Sequence, residues 1–163
     1  MTPIIVDIEA SGFGNNSYPI EVGVAMASGQ RHSLLIRPAD HWTHWEASAE
    51  SVHQISRETL CRYGKPVREV AETLNALLAS QYTYSDGWVV DKPWMTTLFQ
   101  TARVTMQFQL SPLEQLMTEP QIECWDVVKQ QMFNEHRESR HRASYDAWII
   151  QQTFLRTYKL AGR

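Results

Sequence analysis

The sequence has few of the features that mark secreted, membrane-spanning or fibrous proteins. Its 163 residues include two cysteines, too few for a disulfide framework or a multi-cysteine zinc site, and we expect Cys61 and Cys124 to be buried free thiols. The longest run without Asp, Glu, Lys or Arg extends from Thr73 to Ser85, which is too short and too polar to span a bilayer. The N-terminal residues do not resemble a secretory signal. We therefore expect a soluble, cytoplasmic protein that does not interact with membranes.

The chain is also poor in residues that form linkers. Its seven glycines and seven prolines are scattered, so no low-complexity tract divides it. The 43% of hydrophobic residues can form a sizeable core, and a domain typically has about 100–200 residues. We expect a single domain over residues 1–163. The net charge of −3 argues against a surface coated in positive charge for binding nucleic acid.

Hydrophobic periodicity and turn residues predict an α/β domain. Strands are predicted at residues 3–9, 19–27, 31–37, 82–85 and 105–110. Helices are predicted at residues 56–63, 67–79, 93–102, 122–136 and 144–160, and Ser111 to Glu114 has the form of a capping box with proline at the first helical position. This order of elements indicates a mixed sheet covered by helices.

The first predicted strand carries two carboxylates on one face. Asp7 and Glu9 are two residues apart, so they point to the same side of an extended chain, with Ile4, Val6 and Ile8 on the other side. Neighbouring like charges repel unless a cation neutralises them, and oxygen donors of this kind suit Mg²⁺ or Mn²⁺. Taken alone, the pair also fits a strand whose polar tip runs out into solvent.

There are two further candidate sites. One follows the fourth predicted strand, and the other lies at the start of the last predicted helix. Asp86 and Asp91 bracket the residues before the Pro93 helix, where an aspartate is commonly only a helix cap. His141 precedes Asp146 by five positions, which is roughly 140° around a continuous helix, so the two share a site only if His141 lies in the preceding loop. A histidine there, with a usual pKa of about 6.5, suits proton transfer near neutral pH. Taken alone, it is a surface histidine among arginines.

Asp7, Glu9, one aspartate of the Asp86/Asp91 junction and Asp146 give four carboxylates, which with His141 are the groups that would hold two divalent ions on either side of a phosphodiester. Their order and spacing resemble the three motifs of the DEDDh, or DnaQ-like, 3′–5′ exonuclease superfamily. The matching segments are Asp7-Ile8-Glu9-Ala10-Ser11-Gly12, Asp91 after the fourth strand, and His141-Arg142-Ala143-Ser144-Tyr145-Asp146-Ala147, with secondary matches at Pro19-Ile20-Glu21-Val22-Gly23 and Val52-His53-Gln54-Ile55-Ser56. The resemblance spans essentially the whole chain.

The resemblance implies a ribonuclease H-like α/β fold, in which a five-stranded mixed β-sheet is flanked by α-helices. It also implies that Asp7 bridges two divalent cations, Mg²⁺ or Mn²⁺. Glu9 and Asp146 would complete the site of the ion that activates water. Asp91 would help to hold the other ion, directly or through water, and His141 would be the general base.

Four further positions are expected to contact the substrate. The resemblance places Ser11, Gly12 and Phe13 around the 3′-terminal nucleotide, where the Phe13 ring would stack on a base. A position for Phe13 in the core is the alternative. His53 would approach the terminal phosphate, or it would be a capping or buried residue.

The sequence departs from the family pattern at two places. Ser85-Asp86 and Val90 stand where the family has His-Asn and Phe, which leaves open whether Asp86 or Asp91 is the ligand. The spacing to the following helix favours Asp91. Gln54 replaces a usual glycine, which would alter the approach of the terminal nucleotide.

A basic cluster adjoins the expected base. Its members would hold the incoming phosphates, or they form the solvated end of a helix: His136, Arg137, Arg140 and Arg142. Several relatives are homodimers in which the partner supplies basic residues to the substrate path, so a homodimer is a further expectation.

These features predict a two-metal 3′–5′ exonuclease that releases nucleoside 5′-monophosphates from single-stranded RNA or DNA. Two alternatives remain: a catalytically silent nucleic-acid-binding module on the same fold, and a phosphohydrolase of small nucleotides. Two bound divalent ions would make the net charge positive, so the acidic composition does not exclude a phosphate substrate. With one domain, contact is expected with only a few nucleotides at the 3′ end.

Overall fold

A five-stranded mixed sheet forms the centre of the fold. The computed structural model describes residues 1–137 and 142–162. The strands lie in the order β3-β2-β1-β4-β5, with β1 paired antiparallel to β2 and parallel to β4. β2 pairs antiparallel with β3, and β4 pairs parallel with β5. The strands are β1 (Ile4–Ala10), β2 (Pro19–Ala25), β3 (Arg31–Leu35), β4 (Tyr82–Ser85) and β5 (Gln109–Pro112).

In the parts of the chain that the structure describes, six α-helices and the 3-10 helix after β5 flank the sheet. The helices are α1 (Ala47–His53), α2 (Arg57–Tyr63), α3 (Val67–Leu78), α4 (Trp88–Ala102), α5 (Glu119–Glu135) and α6 (Ala143–Ala161), and the 3-10 helix is Leu113–Leu116. The predicted architecture, a five-stranded mixed sheet flanked by helices, is confirmed. Within the described residues, no helix combines the length and the apolar character needed to cross a membrane.

Strand β1 separates two hydrophobic layers. On one face Val6 and Ile8 pack into a core that includes Leu74 of α3 and Met95 of α4. On the other face Ile5 packs with Ala147 and other apolar residues of α6. Alternation along the strand therefore directs the odd-numbered side chains, Asp7 and Glu9 among them, toward α6.

The fifth strand begins later than the sequence indicates. The prediction placed it at residues 105–110, whereas β5 is Gln109–Pro112. The side chain of Asn75, on α3, donates to the carbonyl of Thr105 at 2.8 Å and accepts from the backbone N–H of Gln107 at 2.9 Å. These bonds keep residues 105–107 in a loop, because the Asn75 side chain uses backbone groups that would otherwise bond to a neighbouring strand.

Several helix starts also differ from the prediction, and α5 begins at Glu119 instead of residue 122. Helix α4 begins at Trp88, because the carbonyl of Gly87 accepts from the N–H groups of Val90 and Asp91, and Pro93 therefore lies inside the helix. The predicted capping box at Ser111 to Glu114 is wrong, since those residues end β5 and enter the 3-10 helix. Thr118 and Gln121 form the capping box of α5 instead.

The cysteines are not buried as predicted. Cys61 lies on the solvent side of the short helix α2, whose buried residue is Leu60, and its thiol is exposed. Cys124 is partly exposed, and its thiol donates to the carbonyl of Gln121 at 3.5 Å. Helix α2 has seven residues, and Leu60 is the one that packs into the core, so Cys61 lies outside it.

Candidate active site

A pocket of about 270 Å³ lies where the end of β1 meets the segment after β4. Acidic side chains from three parts of the chain line it: Asp7, Glu9, Asp86, Asp91 and Asp146. Among the described residues, its other side chains are mostly apolar, and Lys129 contributes a positive charge. The pocket therefore combines acidic, apolar and basic surface in one place.

Three of the acidic residues come very close together. Asp7, Glu9 and Asp146 each offer a carboxylate oxygen within 4.8 Å of the other two. Asp7 and Glu9 lie on the same face of β1, as their spacing predicts. Asp146 lies in the first turn of α6, which covers this face.

Gly23 allows α6 to approach the sheet this closely. It lies opposite Asp7 in the pairing of β1 with β2. A Cβ atom on Gly23 would lie 1.9 Å from the carbonyl carbon of Ala143 and 2.1 Å from the nitrogen of Ser144. The backbone at the start of α6 thus occupies the space of a side chain, and this contact brings Asp146 to Asp7.

Glu21 anchors the same helix from β2. Its side chain is fully buried and lies opposite Glu9 in the sheet. Its carboxylate accepts from the backbone N–H of Ala143 at 3.3 Å, from Nε of Arg142 at 2.9 Å and from the hydroxyl of Ser33. Glu21 was predicted only as part of a secondary motif match, without a role, although a carboxylate in an otherwise apolar strand is a signal of one.

Asp86 and Asp91 have different partners. Asp91 is 4% exposed, lies in the first turn of α4 and accepts from the hydroxyl of Ser85. Asp86 is paired with the ammonium of Lys129, which reaches the pocket from α5. Lys129 was not identified from the sequence, because its pairing joins residues 43 positions apart.

Burial and mutual repulsion raise the pKa values of the clustered carboxyls. Burial raises the pKa of Asp7 well above its usual value, and the charges of Asp91, Glu9 and Asp146 add to the rise. Burial raises the pKa of Glu9 to about 8, with contributions from Asp146, Glu21 and Asp91. A cation between these groups would relieve the repulsion, so the residues fit a divalent metal ion.

The pKa of Asp91 is raised to about 7, mainly by burial. The hydroxyl of Ser85 lowers it, the charge of Asp86 raises it and the charge of Lys129 lowers it. Asp91 and Asp7 belong to one electrostatic group, because the charge of Asp91 raises the pKa of Asp7 and the charge of Asp86 raises the pKa of both.

The residues predicted to surround the 3′-terminal nucleotide differ in position. Ser11 is hydrogen-bonded within the protein, and Gly12 and Phe13 lie at the pocket. The hydroxyl of Ser11 is hydrogen-bonded to Nδ1 of His44 at 3.0 Å and accepts from the N–H of Tyr18 at 3.1 Å. Gly12 and Phe13 line the pocket. Phe13 is 69% exposed, so it lies outside the core, and its ring is available at the pocket rim.

The two predicted histidines have different outcomes. His141 lies outside the described residues. His53 ends α1, is 3% exposed and lines the pocket. Its Nδ1 accepts from the N–H of Ile55 at 3.0 Å, and its ring packs edge-on against Trp45. His53 is therefore buried at the wall of the pocket, and its approach to the terminal phosphate stays a prediction.

Members of the basic cluster contact the protein itself. Arg142 pairs with Glu21, and Arg137 donates to the side-chain oxygen of Asn134 at 3.1 Å. Nδ1 of His136 lies 3.1 Å from the hydroxyl of Tyr145. Arg140 lies outside the described residues.

Solved structures of an exonuclease share this architecture. No protein-family model and no curated protein matches the sequence. Among solved structures, E. coli exonuclease I in complex with a dA16 oligonucleotide aligns with a TM-score of 0.66 and 9% identity over 96% of this chain and 42% of that chain. The complex with a 5cy-dT13 oligonucleotide gives 0.68 and 12% over 92% and 39%. The zinc-bound form of the complex with single-stranded DNA gives 0.67 and 11% over 91% and 38%. The chain has the ribonuclease H-like fold.

This ribonuclease H-like chain spans about two fifths of the length of those exonuclease I chains. The low sequence identities show a shared fold, and the sheet order places the carboxylates at the end of β1 in a pocket of that fold. The chemistry of the site rests on its own residues.

Proposed function

We propose that this protein is a 3′–5′ exonuclease that uses two divalent cations, Mg²⁺ or Mn²⁺, to hydrolyse phosphodiester bonds at the 3′ end of single-stranded nucleic acid. The products would be nucleoside 5′-monophosphates. The observation that carries the proposal is the approach of Asp7, Glu9 and Asp146 to within 4.8 Å, with Asp91 in the same pocket.

The donor set suits hard cations. Carboxylate oxygens are the preferred protein ligands of Mg²⁺ and Mn²⁺, and these carboxyls raise one another's pKa values when no cation is present. Asp7, Glu9 and Asp146 would hold one ion, and Asp7 with Asp91 would hold the other. Bound ions of this kind activate a water molecule and stabilise the charge that develops on the phosphate.

The protein's own groups would orient the strand end. The ring of Phe13 at the pocket rim offers a surface on which the 3′-terminal base can stack. Val52 of α1, 54% exposed, offers apolar contact from another element that lines the same pocket. His141, from the sequence, would take the proton of the attacking water.

Single-stranded nucleic acid is supported as the substrate class by the shared fold. The exonuclease I structures of this fold were determined with dA16 and dT13 oligonucleotides and with single-stranded DNA. In the present chain, the Phe13 ring and the acidic pocket are the features that would receive the end of such a substrate.

The decisive experiment follows an oligonucleotide labelled at either end, with Mg²⁺, with Mn²⁺ and with EDTA. We expect stepwise loss from the 3′ end, 5′-mononucleotide products and almost no turnover in EDTA. Asp7→Ala should abolish turnover. His141→Asn should reduce turnover but retain Mn²⁺ binding measured by calorimetry, since it removes a base and not a ligand.

Other outcomes would identify a different function. Binding of the oligonucleotide without turnover in either metal would indicate a silent binding module. Faster hydrolysis of a free nucleotide than of an oligonucleotide would indicate a small-molecule phosphohydrolase. Equal turnover by wild type and Asp7→Ala would refute the proposed site, and parallel RNA and DNA oligonucleotides would measure the sugar preference.

A further inference from the structure

Lys129 brings a positive charge into the acidic pocket. Its ammonium pairs with Asp86, and it also lies over the ring of Phe133, one helical turn along α5, at 5.7 Å from the ring centroid. The side chain of Lys129 retains 29% of its exposure, whereas that of Asp86 retains 10%. The cation is therefore held in place but still faces the pocket, which it lines.

Lys129 lies on the Asp91 side of the acidic cluster. The hydroxyl of Ser85 donates to Asp91, and Asp86, the partner of Lys129, directly follows Ser85 in the chain. The carboxylate oxygens of Glu9 and Asp146 lie within 4.8 Å of each other and of Asp7. The pocket thus has a carboxylate side, formed by Glu9 and Asp146, and a mixed side, formed by Asp91, Asp86 and Lys129.

The chemistry of an ammonium group suits a second role for this cation. It has three donors, so a bond to Asp86 leaves others that can reach a ligand. A lysine acts toward phosphate as a positive point charge. Without such a ligand, a cation here would only offset one of the five acidic groups of the pocket.

We propose that Lys129 binds the phosphate that lies one nucleotide to the 5′ side of the scissile bond. This inference rests on the proposed exonuclease function. In that function Asp91 would help to hold the ion that stabilises the leaving oxygen, which belongs to the strand that remains. The next phosphate of that strand is therefore expected on the side of the pocket that holds Lys129.

The proposal predicts recognition of a second phosphate, which short substrates can test. A dinucleotide with a 5′-hydroxyl has only the scissile phosphate, and a 5′-phosphorylated dinucleotide has one more. Wild type should hydrolyse the phosphorylated form with a kcat/KM about tenfold higher, a typical size for one charge-assisted contact. Lys129→Met should reduce this ratio to about one and act mainly through KM.

A double variant separates phosphate binding from neutralisation of Asp86. If Lys129 only neutralises Asp86, the Asp86→Asn/Lys129→Met variant should regain the wild-type ratio, which would overturn the proposal. If Lys129 binds phosphate, the double variant should resemble Lys129→Met, and Asp86→Asn alone should keep the ratio or increase it.

Binding gives a readout that does not depend on turnover. The probe is a 5′-fluorescent single-stranded trinucleotide in Ca²⁺, with its integrity verified after each titration. Loss of one phosphate contact should reduce the slope of log affinity against log salt by about 0.7 in Lys129→Met. Lys159→Met is the matched control, because Lys159 is exposed in the last turn of α6 and should leave the slope unchanged.

The outcomes distinguish the two proposals. Absence of turnover by wild type would refute the exonuclease function, whatever Lys129 does. Turnover by wild type with equal rates on both dinucleotides, or an unchanged salt slope in Lys129→Met, would refute the role of Lys129 alone.

Discussion

Asp7 and Gly23 face each other across the β1–β2 pair, and the missing side chain of Gly23 leaves room for the start of α6. The surroundings of the Asp7 carboxylate therefore depend on the absence of a side chain at Gly23 on the neighbouring strand. Because Ala143 and Ser144 occupy that space, Asp146 reaches the oxygens of Asp7 and Glu9. The three-carboxylate group is thus a product of backbone packing as much as of its acidic residues.

Gly23→Ala should displace α6 and separate the carboxylates. The added Cβ would lie 1.9 Å from the backbone of Ala143, so we expect a loss of about 1–3 kcal/mol in the free energy of unfolding and at least a tenfold loss of turnover. Urea unfolding and the oligonucleotide assay measure these effects. Gly162→Ala is the control, since its φ is −88° and its added Cβ would lie 3.5 Å from the nearest atom. Equal stability of both variants would contradict the packing argument.

The stability of the metal-free protein should fall as pH rises. Glu9 and Asp91 have pKa values of about 8 and 7 in the folded protein, above their usual values, so the folded state binds their protons more tightly than the unfolded state. Their stabilising contribution is fully present below about pH 4 and is lost as pH rises through 7 to 8. Urea midpoints in EDTA between pH 5.5 and 8.5 should therefore decrease.

Metal binding and one substitution should remove this pH dependence. Mn²⁺ at saturation holds the carboxyls in their ionised form, and its binding should release protons near neutral pH. Glu9→Gln should flatten the decrease measured in EDTA, because it removes a group with a raised pKa. A midpoint in EDTA that rises with pH would be inconsistent with the repulsion inferred for the cluster.

Glu21→Gln should weaken the attachment of α6. The substitution keeps the shape of the side chain but removes the charge that pairs with Arg142, so we expect a loss of about 1–3 kcal/mol in the free energy of unfolding. It should also lower the pKa of Glu9, which the charge of Glu21 raises. Mn²⁺ binding should then persist to lower pH than in wild type. Glu69→Gln is the control and should change neither measurement, because Glu69 lies on α3 in an exposed pair with Lys65, which precedes the helix.

Phe13→Ala should weaken substrate binding without changing stability. A stacked base contributes about 1–3 kcal/mol, so the Kd for a single-stranded oligonucleotide should rise roughly 5- to 150-fold. The unfolding midpoint should remain that of wild type, since 69% of Phe13 is exposed. Tyr63→Ala removes an aromatic side chain of similar exposure, 61%, outside the pocket lining and serves as the control. The stacking role fails if both variants bind alike.

Asp91→Asn and Asp86→Asn should separate the two candidate ligands. We expect the first to reduce turnover by about 100-fold or more and the Mn²⁺ stoichiometry from two to one, by analogy with the loss of other transition-state contacts. Asp86→Asn should retain two bound ions and show a smaller loss of turnover, because Asp86 pairs with Lys129. Calorimetry with Mn²⁺ measures the stoichiometry, and the opposite pattern would make Asp86 the ligand.

The local part of this site was predictable from the sequence. The common face of Asp7 and Glu9 follows from the two-residue period of a strand, which is the same in any fold. Helix α2 lies between Ser56 and Gly64, which are residue types that favour the two cap positions. The Ser56 hydroxyl accepts from the N–H of Thr59 at 3.1 Å. Such features depend on residues a few positions apart, and neighbouring residues along the chain are already in contact before it folds.

Contacts between distant segments required the tertiary structure. The bonds of Asn75 to the 105–107 loop delay β5, Glu21 receives the start of α6, and Lys129 pairs with Asp86. Each joins residues more than 29 positions apart, for which no periodicity or spacing rule exists. The acidic residues could be recognised as candidates from their order along the chain. The approach of Asp146 to within 4.8 Å of Asp7 and Glu9 was decided by the packing of α6 on Gly23, because only the folded chain brings these backbones together.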